Sequence, residues 1–78
     1  MAEKPDREDV LSHFENEVIG GLDISVVNGI LRLLSGGENM SLQGFMAKMR
    51  NPDTDTYREA YNLLEAMYRV HVQKYGRD

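Results

Sequence analysis

Leu22-Asp23-Ile24-Ser25-Val26-Val27-Asn28-Gly29-Ile30-Leu31-Arg32-Leu33-Leu34-Ser35-Gly36-Gly37 is the stretch on which the fold turns. It has two readings. Asn-Gly between apolar runs is the strongest short-range hairpin signal. Pairing Val27 with Ile30 would also set Ile24, Val26, Leu31 and Leu33 on one face of a β-hairpin. Against this, Asp23 or Ser25 is a good helix N-cap, and Gly36 stands where a helix C-cap belongs. Wound as a helix, Val26, Val27, Ile30, Leu31, Leu33 and Leu34 cover about 160°, leaving Asn28, Gly29 and Arg32 outside. Leucines favour helix, and a lone two-stranded hairpin is marginal in water. The reading adopted is a helix over 23–35, with residues 24–34 as a β-hairpin the alternative. A helical Gly29 costs up to about 1 kcal/mol relative to Ala and would leave room for a neighbouring backbone.

The flanking segments decide the class. Before this stretch, Asp6 can cap a helix whose first turn holds Glu8 and Asp9, carboxylates that suit the positive end of a helix dipole. Val10, Leu11, Phe14 and Val18 then share one face, and Gly20-Gly21 ends the run. After it, Ser41 caps a helix with Leu42, Phe45, Met46 and Met49 at i, i+3, i+4, i+7, stopped by Asn51-Pro52. Met46, Met49 and Met40 are read as core filling. Thr56 to Glu59 matches a capping box, although Asp53 or Thr54 could begin the last helix slightly earlier. The expectation is a small all-α domain of four helices, 6–19, 23–35, 41–50 and 54–75, with the long C-terminal helix as its organising element. Residues 1–5 are read as a flexible tail and 6–78 as a single domain.

Composition restricts function. The 78 residues are 41% apolar and 28% charged, a globular balance, with 13 acidic against 9 basic groups. No Cys is present, which excludes disulfides, thiolate metal sites and thiol nucleophiles. Apolar runs are far shorter than the roughly 20 residues that span a bilayer, and the charged start does not read as a signal peptide, so the expected location is cytoplasmic and no membrane partner is expected. Net charge rises from −4 over residues 1–17 through −1 over 18–47 to +1 over 48–78. That is not the basic stripe of a protein that grips phosphate backbones. Ordering a chain this short consumes nearly all the free energy its own burial releases, which favours an oligomer.

All four tyrosines lie in the last helix. With Tyr57 at zero and 100° per residue, Tyr61, Leu64, Tyr68, His71 and Tyr75 fall within about 40° either side. Their 4-3-4-3-4 spacing is that of a helix-pairing seam. A second, aliphatic face holds Ala60, Leu63, Met67 and Val70. One reading packs both faces inside the domain. The sharper one lets the aliphatic face seal the core while Tyr57, Tyr61, Leu64, Tyr68, His71 and Tyr75 bind a partner. Phenol suits an interface because its ring buries apolar area while its hydroxyl tolerates water. Four hydroxyls inside so small a core would each need a hydrogen-bond partner.

Other motifs carry less. Leu34-Ser-Gly-Gly-Glu38 resembles the Leu-Ser-Gly-Gly-Gln signature of ABC-type ATPases over five residues only. The chain has no Gly-x-x-x-x-Gly-Lys-Ser/Thr phosphate loop, so these glycines are read as a helix stop. Asn39-Met40-Ser41 fits a glycosylation acceptor but is read as loop and helix start. His13 with Glu17 at i, i+4 is at most half a metal site, and both histidines, His13 and His71, are read as structural. No nucleophile–base–acid arrangement is legible, so no enzymatic activity, catalytic residue, metal or cofactor is expected. Residues 25–50 outline a helix-turn-helix that would expose Gln43, Lys48 and Arg50. The function expected is a non-catalytic protein–protein interaction module or small regulatory or adaptor subunit. The partner expected is the chain itself, as a homodimer through the C-terminal helix, with a larger protein as a further candidate; a weak nucleic-acid-binding regulator using residues 25–50 is the alternative.

Overall fold

The computed structural model describes residues 5–76, and the secondary structure there is helical throughout, with no strand. The tail expected over residues 1–5 lies outside the described residues except for Pro5. Helix α1 (Arg7–His13) runs on into a π-helical turn (Phe14–Val18), followed by α2 (Ile24–Leu34), α3 (Leu42–Arg50) and α4 (Asp55–Tyr75).

The 22–37 stretch is a helix, and its end explains why. Gly36 takes φ +77°, Gly37 N–H donates to the Arg32 carbonyl at 2.8 Å, and Gly36 N–H donates to that of Leu33 at 3.3 Å. These are the two bonds of a Schellman stop, which needs a left-handed residue that glycine adopts without strain. Val27 and Leu31 are buried against α3 and α4, an inward face that a two-stranded ribbon would not have supplied at this length. Gly29 does not admit a neighbouring backbone: a Cβ there would meet nothing within 4 Å. It simply sits on the outer side of the helix.

Of the starts open for the last helix, the structure takes the one at Thr54. The last helix is capped by Thr54, whose hydroxyl accepts from Tyr57 N–H at 3.3 Å, not by the Thr56–Glu59 box. Thr54 is extended and can turn its side chain back over the first turn, whereas Thr56 is already helical. In the first helix, the π turn inserts one extra residue, so that Ile19 N–H bonds the Phe14 carbonyl at 3.0 Å. Ile19 is thereby buried, while Val18, expected in the core, is only half-buried. Gly20 follows because a Cβ would run into the Asn16 carbonyl oxygen. Ser41 caps α3 as expected, accepting from Gly44 N–H at 3.1 Å.

Helices α3 and α4 pack on each other, and both α1 and α2 pack on that pair. The core between them is Val10, Leu11, Phe14, Ile19, Val27, Leu31, Phe45, Met46, Met49, Tyr57, Ala60, Tyr61 and Leu64. Phe14 and Phe45 meet with ring centroids 5.7 Å apart. The start of α1 is tied to the end of α3 twice: Arg7 donates to the Met49 carbonyl at 2.6 Å, and Arg50 grips Glu8 with two bonds of 3.0 and 3.3 Å. The Cα radius of gyration, 12.4 Å, exceeds the roughly 11.5 Å of a compact domain this long because α4 is drawn out to 21 residues.

Candidate functional site

Helix α4 carries both apolar faces foreseen from its periodicity, but their destinations are exchanged. The N-terminal half of the tyrosine face points into the domain: Tyr57, Tyr61 and Leu64 are buried in the core. These three expected partner-binding residues are therefore taken up internally, because α1 and α3 converge on that side of α4. Tyr68 and His71 are half-buried, and Tyr75 is 69% exposed.

The phenols are accommodated by groups at the edge of the core. Tyr57 donates its hydroxyl to Glu38 Oε1 at 3.0 Å. Burial, helped by that carboxylate, pushes the Tyr57 phenol above its ordinary pKa. Arg7 lies 4.1 Å from the Tyr61 ring centroid, a cation over a π face. Burial also raises Tyr61, with the Arg7 charge opposing. Among the described residues, no phenol oxygen is buried without a hydrogen-bond partner. At Tyr57 the objection to burying a phenol is met by Glu38, which comes from the loop after α2 and has no regular spacing to the tyrosines in sequence.

Further along, the stripe meets the first helix. His13 stacks on His71 with centroids 4.5 Å apart and meets Tyr68 edge-on at 5.6 Å, while His71 lies 5.0 Å from Tyr75. A shallow cleft of about 240 Å³ opens there, lined in part by Asp9, Glu17, His13 and His71. His13 Nδ1 is buried without a partner, and burial together with the nearby His71 holds the His13 pKa below its usual value, Glu17 opposing. Among the described residues, no group of three or more His, Cys, Asp or Glu is placed to hold a metal ion.

The aliphatic face is divided between core and solvent. Ala60 is buried and Met67 half-buried, but Leu63 is 49% and Val70 61% exposed. Helix α2 has a matching outer stripe at i, i+4, i+7: Val26, 47% exposed, Ile30, half-buried, and Leu33, 82% exposed. The end of α2 lies against the first turn of α4. A Cβ on Gly36, just past α2, would sit 3.2 Å from Thr56 Cγ2. Thr56 lies between Leu63 and Met67 in azimuth around α4. Sequence reasoning recorded the residues of this face but assigned them to the core; their spacing was visible, their exposure was not.

The three cations between residues 25 and 50 are all engaged within the chain. Arg32 donates to Asn39 Oδ1 at 3.1 Å, Lys48 pairs with Asp53 at 3.3 Å, and Arg50 pairs with Glu8. No described helix is long and apolar enough to cross a membrane. Compared with known proteins, the chain matches no family model, no curated protein and no solved structure.

Proposed function

We propose that this chain is a non-catalytic protein–protein interaction module whose docking surface is the aliphatic face formed by Val26, Ile30 and Leu33 of α2 with Leu63, Met67 and Val70 of α4. The observation that carries the reading is the exposure of aliphatic side chains at helical spacing on two adjoining helices, in a domain too small to spare them. Apolar ridges of this kind are covered in use by another helical surface, which fits between them as ridges fit grooves. The tyrosines support the surface from behind: Tyr57, Tyr61 and Leu64 hold α4 against α1 and α3, so that its outer face is rigid before a partner arrives.

Gel filtration of the tagged chain in lysate of the cells that make it, and of the purified chain, tests this. The expected result is elution above the 8.9 kDa chain mass in at least one of the two preparations. Leu33→Glu combined with Val70→Glu should return the chain to monomer with its helicity intact, since both side chains are largely solvated and no core contact is lost. A chain that runs as a monomer in both preparations would overturn the reading.

A further inference from the structure

We infer that the occupant of this face is a second copy of the chain, docked by antiparallel pairing of α4 with α4 of its partner about a two-fold axis between Ala66 and Met67. The inference rests on the reading of the aliphatic face as a protein-docking surface and names what covers it.

Charge carries the argument. Helix α4 holds six charged residues, and four are paired within the chain: Asp55 with Arg58 at 3.0 Å and Glu65 with Arg69 at 2.9 Å. The other two are Glu59 and Lys74. Neither makes an ion pair within the chain among the described residues; Lys74 only lies 5.6 Å from the Tyr75 ring centroid. Both stand on the aliphatic face. At 100° per residue, Glu59, Leu63, Met67, Val70 and Lys74 fall within an arc of about 80°.

Their order along the helix is what a two-fold axis requires. Glu59 precedes Leu63 by four residues, and Lys74 follows Val70 by four. Leu63 and Val70 are equidistant from the point between Ala66 and Met67, and so are Glu59 and Lys74. In an antiparallel pair centred there, Leu63 meets Val70 of the other copy. Glu59 meets the other copy's Lys74 about 11 Å from the axis, once at each end. At the centre, exposed Ala66 is small enough for the two backbones to approach over Met67. A parallel pair would instead set Glu59 against Glu59 and Lys74 against Lys74, so the same residues that favour one orientation oppose the other. An isologous contact needs this self-complementarity, and the ridge has it.

The area agrees. A fully exposed aliphatic side chain carries roughly 100 Å² of apolar surface. Weighted by their exposure, the α4 ridge and the α2 stripe together offer about 300 Å² per copy. With interfaces roughly 60% apolar, that corresponds to about 1,000 Å² buried by the pair, the lower bound for a specific association. The dimer expected is therefore concentration-dependent, with a dissociation constant on the order of micromolar.

Sedimentation equilibrium of the purified full chain from 1 to several hundred micromolar, with helicity checked by circular dichroism, tests the pairing. Wild type should move from 8.9 kDa toward twice that mass. Glu59→Lys alone and Lys74→Glu alone should each weaken the dimer about tenfold, since both symmetric pairs turn repulsive. The double reversal should recover wild-type affinity, and an equimolar mixture of the two single variants should form a mixed dimer. Because the chain has no cysteine, Ala66→Cys should cross-link oxidatively into a covalent dimer, whereas Gln43→Cys on α3 should not. A purified chain that stays monomeric throughout overturns the inference; if it still elutes in a larger complex from lysate, the docking surface stands with a different protein on it. A dimer indifferent to the single reversals, or not rescued by the double one, overturns the antiparallel α4 geometry.

Discussion

The two apolar faces of α4 end in opposite environments. The phenolic face, chemically able to tolerate water, is packed inward over its first two turns, while the aliphatic face, which gains nothing from water, is half-exposed at Leu63 and Val70. What separates them is the neighbourhood each face finds. The phenolic face meets α1 and α3, and Arg7 and Glu38 at the rim give its rings a cation and an acceptor. The aliphatic face meets α2 near its start, at Thr56 and Gly36, and further along leaves Leu63 and Val70 exposed. Burial is thus set by what surrounds a face, and the helices that pack on the tyrosines leave Leu63 and Val70 uncovered.

The sharpest way to break this comparison uses two adjacent leucines. Leu64→Ala removes a side chain only 1% exposed and should destabilise the fold by about 3 kcal/mol, read as a fall in the urea midpoint. Leu63→Ala should cost less than about 1 kcal/mol in the monomer and act on dimerisation instead. Equal losses would mean that the two faces are not distinguished as described. Next in size, Arg7→Ala removes both the bond to the Met49 carbonyl and the cation over Tyr61, and should cost about 1–2 kcal/mol. The same variant should push the Tyr61 phenol further above its ordinary pKa, because Arg7 opposes the effect of burial; spectrophotometric titration of phenolate checks it.

On the outer side of α2, Gly29→Ala should stabilise the chain by about 0.5–1 kcal/mol, since the site is helical and a Cβ meets nothing. Thermal denaturation reads the sign, and a loss would contradict the open surface there. The smallest effect concerns pH. His13 has a lowered pKa in the fold, so below about pH 6.5 the unfolded chain takes up the proton more readily and stability falls until the folded value is passed. The thermal midpoint should therefore decline between pH 7 and 5. His71→Gln, which removes one of the two causes of the lowering, should flatten that decline.

Much of the fold was legible. The Asn28-Gly29 hairpin signal was outweighed by six aliphatic residues on one helical arc and by Gly36 at the stop, and the helix formed accordingly. The Ser41 cap and the Pro52 boundary were read from local chemistry, which acts over a few residues. The π turn was not legible, since nothing in Phe14–Val18 calls for an extra residue until Ile19 has a core to enter. Of the expected partner residues, Tyr57, Tyr61 and Leu64 went to the core, and Tyr68 and His71 were drawn against His13, a contact with no sequence spacing to announce it.

Periodicity, caps and glycine stops are short-range properties, so the chain alone determined four helices, the two apolar faces of the last one, and the order of Glu59, Leu63, Val70 and Lys74 along it. Which face turned inward was decided only in three dimensions, because burial depends on where α1, α2 and α3 come to rest, and that is a balance summed over the whole core. A helix can state that it has two faces to cover; only its neighbours determine which of them remains for another molecule.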